Sequence, residues 1–152
     1  MTTIAARLEE LGITLPEAAA PVASYQPVVV DGRRAYLSGQ LPFVEGKLVT
    51  GKLGDGVSLE QGQQAARACG LMILAQLKAA GLLERVDQVI KLGGFVASTP
   101  DFTDQPKVAN GASDLMVEVF GDAGKHARSA VGVPVLPLDA AVEVDAIVSL
   151  KD

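Results

Sequence analysis

The chain has 152 residues, 49% hydrophobic and 20% charged, which suits one domain with a real core. A formal net charge of -5, a sequence pI near 4.8 and the lack of any Lys/Arg run argue against a nucleic-acid partner, whose phosphates need clustered cations. Apolar runs stop well short of the roughly 20 residues that a membrane span needs, and one His with one Cys makes a zinc site of the usual kind improbable.

Thr3 can cap a short helix with Ile4, Leu8 and Leu11 on one face and Gly12 as its stop. Pro16 to Pro21 is an Ala/Pro-rich connection. Residues 1–24 therefore read as an N-terminal helical arm, and 25–152 as a single domain. Val28 to Val30 is a short apolar run, and Asp31-Gly32 after it is a hairpin signal. Arg34 to Gln40 alternates as a second strand and runs into Ser38-Gly39-Gln40-Leu41-Pro42. Glu45-Gly46 turns into a short strand, Lys47 to Thr50.

Ser58 opens a long helix, and Gln61 completes a capping box. Its stripe is Leu59, Ala66, Cys69, Ile73 and Leu77, and Gly81 ends it. Val86 to Ser98 reads as a strand, where Gly93-Gly94 marks a bulge or a close approach by another backbone. Asp101 or Thr103 can cap a second long helix, with Val108, Ala112, Leu115, Met116 and Val119 inward and Gly121 as its end. Ala127 to Val135 and Ala141 to Leu150 finish the chain as strands.

Both long helices must bury a stripe. The economical solution is an α+β sandwich: a mixed sheet with the two helices on one face. The alternating residues of the last two strands leave a second face that is partly apolar, so another subunit is expected to cover it. Cys69 excludes an internal disulfide, and no signal-peptide pattern opens the sequence, so a cytoplasmic protein is expected.

Arg128 and Glu143 carry the candidate chemistry. Arg cannot deprotonate, and its planar fork matches a carboxylate. Brought together by adjacent strands, the two side chains could hold a small carboxylate substrate and work on it. Each also reads, taken alone, as a surface charge worth little. Asp145 shares the strand face of Glu143 if that strand is regular. Ser38 has no Ser-His-Asp arrangement around it and no Gly-x-Ser-x-Gly motif. Cys69, on a core stripe, reads as an inert small hydrophobe, and His126 as a surface or turn residue.

Three motifs now come together: Ser38-Gly39-Gln40-Leu41-Pro42 after a strand, Val108-Ala109-Asn110-Gly111 in a helix, and Ala127-Arg128-Ser129 followed by Leu136-Pro137 and Val142-Glu143-Val144-Asp145-Ala146-Ile147. In this order the chain resembles the Rid family (reactive intermediate deaminases, also called YjgF-like or L-PSP endoribonuclease-like) over Tyr25 to Ile147. The resemblance implies a chorismate-mutase-like fold and a homotrimer with active sites in the clefts between subunits. It implies hydrolysis of reactive 2-enamino and 2-imino acids to 2-keto acids and ammonia. Neither a cofactor nor a metal is expected, because the substrate is already activated.

Carried over by position, Arg128 grips the substrate carboxylate and Glu143 holds or activates the attacking water. Tyr25 reaches the pocket, Ser38 and Gly39 form its wall, and Asn110 belongs to the same set on the second helix. Ala130 stands where the best-known deaminases have Cys; the sulfur is not the nucleophile there, and the backbone can serve at the substrate. The alternative is a non-catalytic trimer that binds a small carboxylate for sensing or regulation. RNA cleavage, a label borne by parts of the family, conflicts with the acidic charge and the 4% aromatic content.

Overall fold

The computed structural model describes residues 2–20 and 24–152. Met1 and residues 21–23, which include the Pro21 end of the Ala/Pro-rich connection, lie outside the described residues. Helix α1 (Ile4–Glu10) starts as its sequence requires, with the Thr3 hydroxyl accepting from the Ala6 N–H. The Ile4 and Ala5 N–H groups donate to the Glu84 carboxylate at 2.8 and 2.9 Å. An anion at a helix N-terminus satisfies these otherwise unpaired donors. Leu8 is buried, and Leu11, Ile13 and Leu15 pack on the main core. The described part of the arm is thus bound to the domain along its apolar side.

Strands β1 (Val28–Asp31) and β2 (Arg34–Gln40) form a hairpin around Gly32, whose φ is +61°. Strands β3 (Phe43–Val44) and β4 (Lys47–Leu48) flank Glu45-Gly46, where both φ angles are positive. The short parallel pair β5 (Lys52–Leu53) and β6 (Gly56–Val57) has no periodic signature in the sequence. Helix α2 (Leu59–Ala79) carries the complete Ser58/Gln61 capping box. It is followed by β7 (Val86–Ala97), α3 (Gln105–Phe120), β8 (Ala127–Val133) and β9 (Val142–Leu150).

The main sheet runs β1-β2-β9-β7-β8, antiparallel except for β7 and β8. Helix α3 supplies the crossover that a parallel pair needs. Both long helices bury their stripes against one face, which gives the α+β mixed-sheet architecture of the chorismate-mutase-like fold. They approach closely because Gly111 sits against the backbone of α2; a Cβ there would overlap the Gln63 carbonyl oxygen.

Four local expectations change. Helix α3 is capped neither by Asp101 nor by Thr103: Asp104 stands at the N-cap without a side-chain bond, and a proline in the first turn starts the helix instead. Strand β8 stops at Val133, before Pro134, which has no N–H to offer a ladder. Gly93 and Gly94 make no bulge, since the β7–β9 register runs straight through them. Gly94 admits Ala109 of α3, and Gly93 leaves room for the Asp145 side chain. Finally, β8 and β9 are not adjacent, because β7 lies between them.

Along β9, Val142, Val144, Ala146, Val148 and Leu150 are buried toward the helices, while Glu143, Asp145, Ile147 and Ser149 point the other way. Val29, Tyr36 and Ile147 are register partners across β1, β2 and β9 on that second face. Val131, Phe95 and Glu143 form the corresponding row across β8, β7 and β9. Val29, Tyr36 and Val131 are 52%, 42% and 46% exposed, so the face is partly apolar and uncovered in a single chain. Among the described residues, no helix is long and apolar enough to cross a membrane.

Candidate functional site

Arg128 points to the helix face from β8, at the sheet edge. Its Nη1 donates to Asn110 Oδ1 at 2.8 Å and to Ser113 Oγ at 3.1 Å. Asn110 and Ser113 lie three residues apart on α3 and so share one side of the helix. The two bonds use both hydrogens of Nη1. Among the described residues, Nε and Nη2 have no partner and Arg128 joins no ion pair. The guanidinium is therefore anchored on one side and presents the Nε–Nη2 edge, the arrangement that takes a carboxylate in two parallel bonds.

Behind Arg128 the bonding continues. Ser113 Oγ lies 2.8 Å from His126 Nε2, and His126 Nδ1 lies 2.6 Å from the Gly124 carbonyl oxygen. Neither Ser113 nor His126 was expected here; His126 is tied down, not a free turn residue. The available signal was spacing: His126 and Arg128 are two apart at the start of a strand, and Asn110 and Ser113 three apart in a helix.

Glu143 is partly buried on the opposite sheet face. Its carboxylate lies against Gly39 at the end of β2, where a Cβ would overlap Oε2. The ladder between β2 and β9 is irregular between Leu37 and Gln40, which lets the chain swing out beside the acid. Burial first, and then the neighbouring Asp145 charge, hold the Glu143 carboxyl above its ordinary range. Burial also raises Asp145, opposed by the Gly93 N–H and by Lys91.

Glu143 lines a cavity of about 230 Å³ with Tyr25, Pro27, Gly39, Gln40, Leu41, Phe43, Met72, Gln76 and Pro137. Ala19 and Ala20 of the arm close one side of it. Two buried amides brace this wall: Gln76 Nε2 donates to the Ala19 carbonyl at 3.0 Å and to Gln40 Oε1 at 3.3 Å, and Gln40 Nε2 donates to the Ser38 carbonyl at 2.9 Å. Tyr25 and Gly39 thus share the cavity with Glu143. Ser38 does not line it. Its hydroxyl donates to the Gln26 carbonyl at 2.7 Å and ties down the segment that carries Tyr25. Ala130 lies one pleat beyond Arg128 on the same strand face and pairs with Gly94. Cys69 is fully buried, and burial pushes its thiol well up, which keeps it unreactive.

Two sets therefore form: Arg128 with Asn110, near Ala130, on the helix face, and Glu143 with Gly39 and Tyr25 on the other. Within one chain they do not meet. Two strand spacings separate Arg128 from β9, about 10 Å, and three residues add about 10 Å lengthwise, before the side chains diverge to opposite faces.

A family model described as "YjgF/chorismate_mutase-like, putative endoribonuclease" matches residues 5–150. Protein TCP17 of Trypanosoma cruzi is 53% identical over 152 residues, 98% of this chain and 95% of its own length. A 2-iminobutanoate/2-iminopropanoate deaminase of Dermatophagoides farinae is 32% identical over 139 residues, 91% of this chain and 95% of its own. Among solved structures, the protein Atu1372 of Agrobacterium tumefaciens, of unknown function, is 50% identical and superposes with a TM-score of 0.90 over 97% of this chain and 92% of its own.

Proposed function

The chain belongs to the YjgF/chorismate-mutase-like family, and from that premise we propose that it hydrolyses small 2-imino and 2-enamino acids to 2-keto acids and ammonia, in clefts between the subunits of a homotrimer. One observation carries the assembled site: Arg128 and Glu143 leave opposite faces of the same sheet. A substrate small enough to touch both must take Arg128 from one copy and Glu143 from another. The partly apolar second face gives a surface on which such copies can associate.

The Nε–Nη2 edge of Arg128 receives the substrate carboxylate and fixes the plane of the C=N bond. An enamine first takes a proton at C3 and becomes the iminium. Glu143 then accepts a proton from water as the water oxygen bonds to C2. The resulting 2-amino-2-hydroxy acid takes the proton held by Glu143 on its nitrogen. The C–N bond breaks, ammonia leaves, and the C2 hydroxyl passes its proton to the freed Glu143 carboxylate, which returns it to solvent as the carbonyl forms. A raised carboxyl value suits this exchange, since it makes the carboxylate a better acceptor for the proton of the attacking water. The deaminase name of the mite relative supports the substrate class.

The test generates imino acids in situ with an amino-acid oxidase and traps the surviving imine with semicarbazide. Wild-type protein is expected to reduce the trapped imine, and Arg128→Ala to leave it unchanged. Equal rates for the two proteins would contradict the proposal.

A further inference from the structure

We propose that Ser113 and His126 are positioning residues: a one-way hydrogen-bond relay runs from Arg128 through them to a backbone carbonyl and holds the guanidinium so that its Nε–Nη2 edge meets the substrate carboxylate. This rests on the reading of Arg128 as the carboxylate clamp.

The direction of the two end bonds follows from donor and acceptor capacity, and that of the Ser113–His126 bond from a neutral ring. The Gly124 carbonyl can only accept, so His126 Nδ1 carries a proton across the 2.6 Å contact. Arg128 Nη1 can only donate, so Ser113 Oγ accepts from it. In the neutral ring the one proton is on Nδ1, so Nε2 at 2.8 Å accepts the single hydroxyl hydrogen of Ser113. No group is asked to donate or accept beyond its capacity.

The far end of the relay is fixed. Gly124 is buried in a short turn after α3, and a Cβ there would overlap the Met116 carbonyl oxygen of that helix. Asn110 and Ser113 belong to α3 as well. Arg128 is thus located by one rigid body, through Asn110 directly and through Gly124 by way of His126 and Ser113. Arg has a long stem with many rotamers, and a site that fixes its fork before ligand arrives avoids the loss of that freedom on binding. Without the relay, Nη1 keeps one anchor and the fork can turn about it.

His126 is the only histidine, so its ring nitrogens can be read without overlap in the intact protein. The first measurement is a nitrogen-15 spectrum of that imidazole, with and without 2-ketobutyrate. The second is the calorimetric affinity for 2-ketobutyrate of wild type, Arg128→Ala, Ser113→Ala, Ser113→Thr, His126→Phe and His126→Gln. The relay predicts the Nδ1–H tautomer, with an Nε2 resonance that moves on binding in wild type. It predicts about a tenfold loss of affinity in Ser113→Ala and His126→Phe, the size of one hydrogen bond to a charged group. Ser113→Thr keeps the hydroxyl and His126→Gln keeps an acceptor, so both should retain most of the affinity.

An Nε2–H tautomer overturns the relay, whether or not any variant folds. So do wild-type affinities in Ser113→Ala and His126→Phe when Arg128→Ala has lost binding; the clamp reading then stands alone. Losses in Ser113→Thr and His126→Gln as large as in Ser113→Ala and His126→Phe would mean packing, not hydrogen bonding, and also overturn it. Unchanged binding in Arg128→Ala removes the clamp reading itself, and the relay with it.

Discussion

Gly39 lies against the Glu143 carboxylate, in space that a single added carbon would take from Oε2. The glycine at the end of β2 therefore decides where the acid of β9 can sit. Gly39→Ala is expected to push the carboxylate out of the cavity it shares with Tyr25 and to lower the rate of imine hydrolysis about 10- to 100-fold. Melting temperature should change little, because Gly39 is exposed to the cavity mouth. Kinetics beside a thermal melt check this, and an unchanged rate would show that the placement of Glu143 does not matter.

The activity of the wild type is expected to fall on the acid side with a limb above the ordinary carboxylate value of about 4, because burial and the Asp145 charge raise Glu143. Asp145→Asn removes the second cause and should move the limb to lower pH. A limb that stays in place would separate Asp145 from the titration of Glu143.

The same shifts have a consequence for stability. The native values of Glu143 and Asp145 lie above their unfolded values, so the folded state binds these protons more tightly. That contribution is complete below the unfolded value and is lost as pH rises through the native one. Glu143→Gln is therefore expected to gain stability relative to wild type as pH rises through this window. Denaturant titrations on both sides of it would reveal the change, and a constant difference would contradict it.

Gly111→Ala is expected to destabilise the protein by about 1–3 kcal/mol, since its Cβ would overlap the α2 backbone at Gln63. The strain falls next to Asn110, so affinity for a 2-keto acid should weaken as well. By contrast, Ser58→Ala removes only the cap of α2 and should cost about 1 kcal/mol with activity kept.

Local chemistry was readable from the sequence and distant pairing was not. The Thr3 cap, the Ser58/Gln61 box, the helix stripes and the ends at Gly81 and Gly121 depend on residues close in sequence. The place of β9 between β2 and β7 depends on partners far away in the sequence, as Val96 with Val142 and Arg34 with Ser149. Two consecutive strands that looked adjacent are thus separated, and Arg128 and Glu143 face opposite ways. The motif around Ser38 is legible in the sequence, but the bond from its hydroxyl to the Gln26 carbonyl is invisible until the hairpin is folded. Ser113 and His126 were missed for a related reason. Each is an ordinary polar residue until α3 packs beside β8 and brings both to one guanidinium.

The most direct test of the central claim mixes two variants that each lack one half of the site. Arg128→Ala and Glu143→Gln chains are co-expressed with different tags, and mixed oligomers are isolated and assayed for imine hydrolysis. If each site takes Arg128 from one copy and Glu143 from another, every mixed trimer holds one complete site of its three, roughly a third. Activity of roughly a third of wild type, absent from either variant alone, is the predicted result. Mixed oligomers as inactive as the two parents would contradict it.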